Sequence, residues 1–354
     1  MLSRVQIASI AFLALMSAAR AEDAAPAPLP TMPPAIQRVN NWGLPEEPRT
    51  VLPAMVEPIE AESPFFTHAN FAARAVFSWG ISDRQHSGGI GALFVSPISD
   101  LRWKNLVSEA VEFNASTVIR GKLVLSADVG VGSITGGELR DQDFLLSGRR
   151  GLFSESLSPT FSDDLFYVMG DAGWRLYEDD ECYFDGLVGY MYWRERYVAN
   201  GGALSVGTPP ITAPPGTTLP PGPGITEVFE WEGFRIGGQG ACAITSRLAF
   251  TSKVMLMPVV HFRNEDTHHN RPDFRQDPSG IDSAVGGFGV MADFGLTYRI
   301  YRGLYADLGY RIWNVSVGNG ETEIRFSNGN VVQVPLKQAD TTRQGLIVGL
   351  NYRW

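Results

Sequence analysis

Residues 344–354 read QGLIVGLNYRW, and this closing stretch decides the fold. Leu346, Val348, Leu350, Tyr352 and Trp354 share one face of an extended strand, while Gly345, Gly349, Asn351 and Arg353 lie on the other. An apolar face ending in an aromatic, opposite small and polar residues, suits a strand with lipid on one side and a polar interior on the other. The preceding strand repeats the pattern. Leu304, Ala306, Leu308, Tyr310 and Ile312 alternate with Tyr305, Asp307, Gly309, Arg311 and Trp313, which predicts Asp307 and Arg311 inside.

Working back, residues 65–354 read as long strands joined alternately by short and long links. The short links at 120–122, 177–181, 243–246 and 301–303 are expected as periplasmic turns, and 140–160, 199–225, 264–282 and 322–337 as external loops. A closed barrel satisfies every backbone group inside lipid, which an open sheet does not. The expected fold is therefore all-β, a closed antiparallel transmembrane β-barrel. A soluble β-sandwich also alternates, but it does not call for strands this long with tyrosine and tryptophan at their ends.

The N-terminal part reads differently. Residues 1–21 carry Arg4, the apolar run IASIAFLALMSAA and the Ala19-Arg20-Ala21 cleavage pattern of a signal peptide. Residues 22–64 are rich in Pro and Ala and lack a periodic apolar face, so they are expected to stay extended or disordered as a periplasmic tether. The net charge is −9, and the positive Arg4 and Arg20 would leave with the signal. That balance argues against a nucleic-acid partner.

Chemistry concentrates in two short pairs, Asp141 and Asp143 in ELRDQDF and Asp266 and His268 in RNEDTHHN. Each has i, i+2 spacing, so on a strand its two side chains point the same way. An imidazole beside a carboxylate suits a general base, and a close carboxylate pair should share a proton. His261, His268 and His269 crowd within nine positions, so the metal alternative uses His268, His269, Asp266 and the aspartate pair as ligands. The H-E-x-x-H spacing is absent, and the metal-free reading is the stronger one. No metal or other cofactor is expected. Strict alternation poses a problem. If Leu123, Leu125, Val129 and Val131 face lipid, so do Asp141 and Asp143, and Asp266 and His268 go outward with Val260 and Phe262. A bulge must intervene on each strand; Gly136-Gly137 is a candidate for the first.

Several segments resemble the omptin family of outer-membrane endopeptidases: SDLRWK at 99–104, GGELRDQDF at 136–144, GYMYWRERY at 189–197 and NEDTHHN at 264–270. The resemblance implies a ten-stranded barrel in the bacterial outer membrane, protruding on the extracellular side, with an active groove at its outer rim. It implies that His268 activates water, that Asp266 holds its ring, and that Asp141 and Asp143 hold the water and the scissile peptide. It also implies peptide or protein substrates, a monomer, and lipopolysaccharide as a partner required for activity. Asn264 and His86 stand where acids line the family's pocket for a basic side chain, so a preference for cutting between basic residues is not carried over. Of the lipopolysaccharide positions, Tyr192 and Arg196 match, Arg194 replaces an acid and Glu230 a basic residue. The competing class is a non-enzymatic barrel, an adhesin or small pore; so narrow a barrel weighs against the pore.

Cys182 and Cys242 fall at the periplasmic ends of neighbouring strands and on the same face. They are expected to be cross-strand partners able to form a disulfide in an oxidising compartment.

Overall fold

The computed structural model describes residues 66–90, 93–161 and 163–354. The expected signal peptide (1–21) and tether (22–64) lie outside the described residues. The strands are β1 (Phe66–Ile90), β2 (Leu93–Ile119), β3 (Leu123–Leu146), β4 (Arg150–Pro159), β5 (Asp163–Glu178), β6 (Cys182–Asn200) and β7 (Ala203–Gly207). They continue with β8 (Pro223–Ala243), β9 (Leu248–Met257), β10 (Val260–His268), β11 (Gly280–Gly286), β12 (Phe288–Tyr301), β13 (Leu304–Arg325) and β14 (Val331–Arg353). All neighbours are antiparallel, and β14 pairs with β1 to close the ring. Four staves are broken into two pieces each, β4–β5, β6–β7, β9–β10 and β11–β12, so the ring has ten staves among the described residues.

The expected turns at 120–122, 177–181, 243–246 and 301–303 fall at one end of the barrel. Of the expected external loops, 140–160 and 322–337 are corrected to mostly strand, while 199–225 and 264–282 keep loops at 208–222 and 269–279 between strand ends. Polar residues above the membrane still need partners for their backbone groups, and continuing the ladder supplies them. His86 lies on β1.

Phe77, Val111, Val131, Val188, Phe234, Leu308 and Val348 are exposed on the outer surface. Trp174, Tyr301, Tyr352 and Trp354 are exposed at the turn end, and Trp79 packs edge-on against Tyr310 higher up. A belt of exposed aliphatics between aromatic girdles fits lipid rather than water.

The interior is filled in layers. Toward the turns lies an ion-pair layer: Glu112 accepts from Arg74 at 3.0 Å and from Tyr167 at 2.8 Å, and Asp171 accepts from Arg235 and Lys253, each at 2.6 Å. The predicted interior Arg311 is buried here between Glu112 and Asp293. Above it lies an aromatic layer. Trp193 and Trp313 meet edge to face at 4.6 Å, and Trp103, Tyr197, Phe229, Phe262 and Trp231 continue it with ring separations of 4.3–5.5 Å.

Several strands switch faces at about this height. On β3, Val124, Asp128 and Ile134 are buried in the lumen, and then Leu139 is. Thr135 and Gly137 are skipped in the pairing with β2, and Gly137 has a φ of 146°, in the range glycine tolerates best. Between β9 and β10 the switch is at Pro258-Val259. Ile236 opposes Leu256 but Glu232 opposes His261, so one extra residue has entered the second strand. The expectation that Val260 and Phe262 face lipid is therefore corrected: both are fully buried inside. Gly287 makes the matching break on the next stave, where a Cβ would lie 2.0 Å from the Ser316 carbonyl oxygen.

Cys182 opposes Cys242 at the turn end of β6 and β8, with a Cα–Cα distance of 4.2 Å and a disulfide between them. The bridge spans a sequence separation of 60. Replacing both cysteines by alanine is expected to lower stability by up to ~4 kcal/mol through the freed unfolded chain, measured by urea unfolding in detergent with and without reductant.

Candidate active site at the barrel rim

The face switches aim both predicted pairs into the mouth of the barrel. Asp141 and Asp143 lie on upper β3. Leu101 and Ser99 of β2 oppose them on one side, and Ser156 and Ser154 of β4 on the other. Asp266 and His268 end β10, with Glu227 of β8 opposite Asp266. The outward residues at this height, Arg140, Gln142, Arg263 and Glu265, are polar, so the site lies above the lipid-facing belt.

His268 Nε2 lies 3.0 Å from Asp266 Oδ2. Next to a carboxylate the ring is assigned the Nε2–H tautomer, which leaves Nδ1 as the free base nitrogen. The backbone fixes the ring from below. His268 N donates to Ser279 Oγ at 2.9 Å, Ser279 N donates to the Asp266 carbonyl at 2.7 Å, and Gln276 Nε2 donates to the His268 carbonyl at 3.1 Å. Phe274 packs edge-on against the imidazole at 5.7 Å.

Behind Asp266 sits a guanidinium that sequence reasoning missed. Arg84 of β1 is fully buried. Its Nη2 donates to the same Asp266 Oδ2 at 2.8 Å and lies 2.5 Å from Glu227 Oε1, while Nη1 donates to Asp282 Oδ2 at 2.5 Å. Asp282 also accepts from Asn264 at 2.9 Å and Thr322 at 2.5 Å, and lies 3.1 Å from His86 Nε2. A signal for Arg84 existed: Ser82, Arg84 and His86 continue the inward face of β1 in steps of two. Nothing comparable marks Asp282 or Glu227.

The charges push these groups apart. Burial alone would raise Asp266, but His268 and Arg84 overcome it and hold this carboxyl well below the usual range. Burial would lower His268; Asp266 and Asp141 outweigh it and raise the imidazole. Burial and the neighbouring Asp143 push Asp141 up to about 8. Asp143 is also raised by burial, against opposition from His268 and a hydrogen bond from Ser99. Both carboxyls are thus raised and titrate as one coupled pair, with Leu101 opposite Asp141 and Ser99 opposite Asp143. Glu227 is pushed up to about 7 by burial, despite Arg84.

The three clustered histidines do not gather. His261 points outward to Glu232 at 2.6 Å, and His269 meets Thr226 at 2.9 Å. The metal alternative loses His269, and among the described residues no group of three or more His, Cys, Asp or Glu has metal-binding geometry. Tyr192, Arg194 and Arg196 lie on the outward face of β6, away from the mouth. Tyr192 donates to Glu230 at 2.5 Å, and Arg194 stands 3.9 Å from the same carboxylate.

No protein-family model matches the sequence, and no curated protein matches it. The fold has a solved counterpart. The outer membrane protease OmpT from Escherichia coli superposes with a TM-score of 0.68 at 15% identity, over 83% of this chain and 99% of that one. Weaker matches include the attachment invasion locus protein Ail of Yersinia pestis, with a TM-score of 0.24 at 7% identity over 81% of this chain and 99% of that one. The translocator domain of the autotransporter NalP from Neisseria meningitidis scores 0.32 at 10% identity, over 80% of this chain and 88% of that one. This chain has an omptin-like fold, that of a bacterial outer-membrane β-barrel.

A histidine-selective NMR titration is expected to place His268 above the usual imidazole midpoint near 6.5. Asp266→Asn removes the charge that favours imidazolium, so the midpoint should move down. An unmoved midpoint would show that Asp266 does not set the base.

Proposed function

We propose that the protein is an endopeptidase of the outer membrane, hydrolysing peptide bonds at the outer rim of its barrel. The observation that carries this reading is the His268–Asp266 pair aimed into the mouth together with Asp141 and Asp143. His268 Nδ1 takes a proton from water, and Asp266 stabilises the imidazolium that forms. Asp143 accepts a hydrogen bond from that water. Asp141, which keeps its proton at neutral pH, donates one to the carbonyl oxygen as charge develops there. Ser154 and Ser156 face the aspartates as polar neighbours, and the scheme needs no covalent nucleophile. OmpT, a protease, has the same fold, which adds support to the reading. A channel is disfavoured because aromatic rings and ion pairs fill the described lumen.

The substrate is a peptide or protein approaching from outside the cell, and the protein acts as a monomer. Tyr192, Arg194 and Arg196 face outward just above the lipid belt, where the phosphates of lipopolysaccharide would lie. We assign that glycolipid as a partner at this face, with Glu230 partly offsetting the basic charge.

Refolded protein with lipopolysaccharide is expected to cleave members of a peptide library. His268→Ala should lower kcat by at least ~100-fold, in the range general-base catalysis supplies, while the barrel still folds. Wild-type turnover by that variant would remove the mechanism. Asp141→Asn and Asp143→Asn should each be severe. Activity is expected to survive EDTA, provided lipopolysaccharide packing is controlled; loss that zinc restores would favour a metal hydrolase.

A further inference from the structure

The mouth of the barrel contains a second imidazole–carboxylate pair. His86 Nε2 lies 3.1 Å from Asp282 Oδ1, and 11% of the His86 side chain remains open. Asp282 is fixed by Arg84, Asn264 and Thr322. Arg84 therefore ties the two pairs into one chain, His268–Asp266–Arg84–Asp282–His86.

Strand register places His86 relative to the aspartates. His86 of β1 opposes Ser99 of β2, and Ser99 opposes Asp143 of β3. The three residues form one row across neighbouring strands. At about 4.8 Å per strand, His86 and Asp143 are roughly 10 Å apart along the barrel wall, with the short Ser99 side chain between them. His86 and His268 both lie close enough to Asp143 to interact with it electrostatically. The charged groups facing His86 are Arg84 on its own strand, Asp282 of β11 and Asp143 of β3; Ser99 and Leu336, its cross-strand neighbours, carry none.

We propose that His86 is a second catalytic residue, the general acid that protonates the leaving amine. The proposal rests on the endopeptidase reading. Amide hydrolysis needs two proton transfers at separate points. His268 removes a proton from water, and the hydroxide oxygen bonds to the carbonyl carbon. As the tetrahedral intermediate collapses, the C–N bond breaks and its electron pair stays on nitrogen. That nitrogen takes the proton from the His86 imidazolium, which becomes neutral imidazole. His268 then releases its proton to solvent, and His86 regains one from solvent, so the net reaction consumes one water. Asp282 holds the His86 ring at 3.1 Å, as Asp266 holds that of His268 at 3.0 Å.

The test compares substrates that do and do not need the acid. A peptide anilide that the wild-type protein cleaves is paired with the 4-nitrophenyl ester of the same acyl segment, whose leaving group departs unprotonated. His86→Gln should lower kcat on the anilide by about 100-fold or more, and on the ester by less than about tenfold. Equal losses on both, or no loss on either, would overturn the proposal while leaving the endopeptidase reading intact. If His86→Gln fails to give the heat-modifiable gel shift of a folded barrel, a series of anilides on the wild-type protein decides. A nearly flat dependence of rate on leaving-amine basicity supports the general acid; a steep fall with more basic amines overturns it. A wild-type protein that cleaves no peptide removes the endopeptidase reading, and this proposal with it.

Discussion

Every stave of this barrel obeys one constraint: successive side chains go to opposite faces, and the two faces meet different surroundings. In the lower barrel the outer face meets lipid, so the apolar set must point out. In the upper barrel both faces are wet, and a functional site must point in. The chain reconciles the two by inserting residues at Thr135–Gly137, Pro258-Val259 and Gly287, near the same height. A one-residue slip inverts a strand. Without those insertions Asp141, Asp143 and Asp266 would lie on the outer surface rather than in the barrel mouth.

The aromatic layer makes the site rigid from beneath. Trp103, Tyr197, Phe229 and Phe262 close the lumen below Arg84. That closure removes water from the guanidinium and its carboxylates, where lost hydration is offset only by good pairing. Arg84 meets this demand with Asp266, Asp282 and Glu227. The same burial drives the functional asymmetry. Asp266 is held low because His268 and Arg84 touch it, while Asp141 is raised by burial and a second carboxylate. Residues of one chemical type thus shift in opposite directions by position alone.

Much of the architecture was legible in local pattern. Period-two alternation in 304–313 and 344–354 carries lipid exposure directly, because exposure to lipid is a property of single residues on a strand. The turns at 120–122 and 301–303 were legible for the same reason. The upper strands were not. Once both faces are polar, alternation loses contrast, so extended hairpins at 140–160 and 322–337 read as loops. The histidine cluster misled for a related reason: nearness in sequence does not bring His261, His268 and His269 to one place when alternate positions on a strand diverge.

The sequence by itself determined that this is a β-barrel with a lipid-facing belt. It also marked Asp141, Asp143, Asp266 and His268 as the residues able to move protons, because alternation and i, i+2 spacing are written along one chain. Only the tertiary structure decided which way those side chains point. It also brought Arg84 of β1 and Glu227 of β8 to Asp266, and joined Asp282 of β11 and His86 to them through Arg84. Those contacts join residues up to 198 positions apart, and ring closure, not any local pattern, makes such residues neighbours.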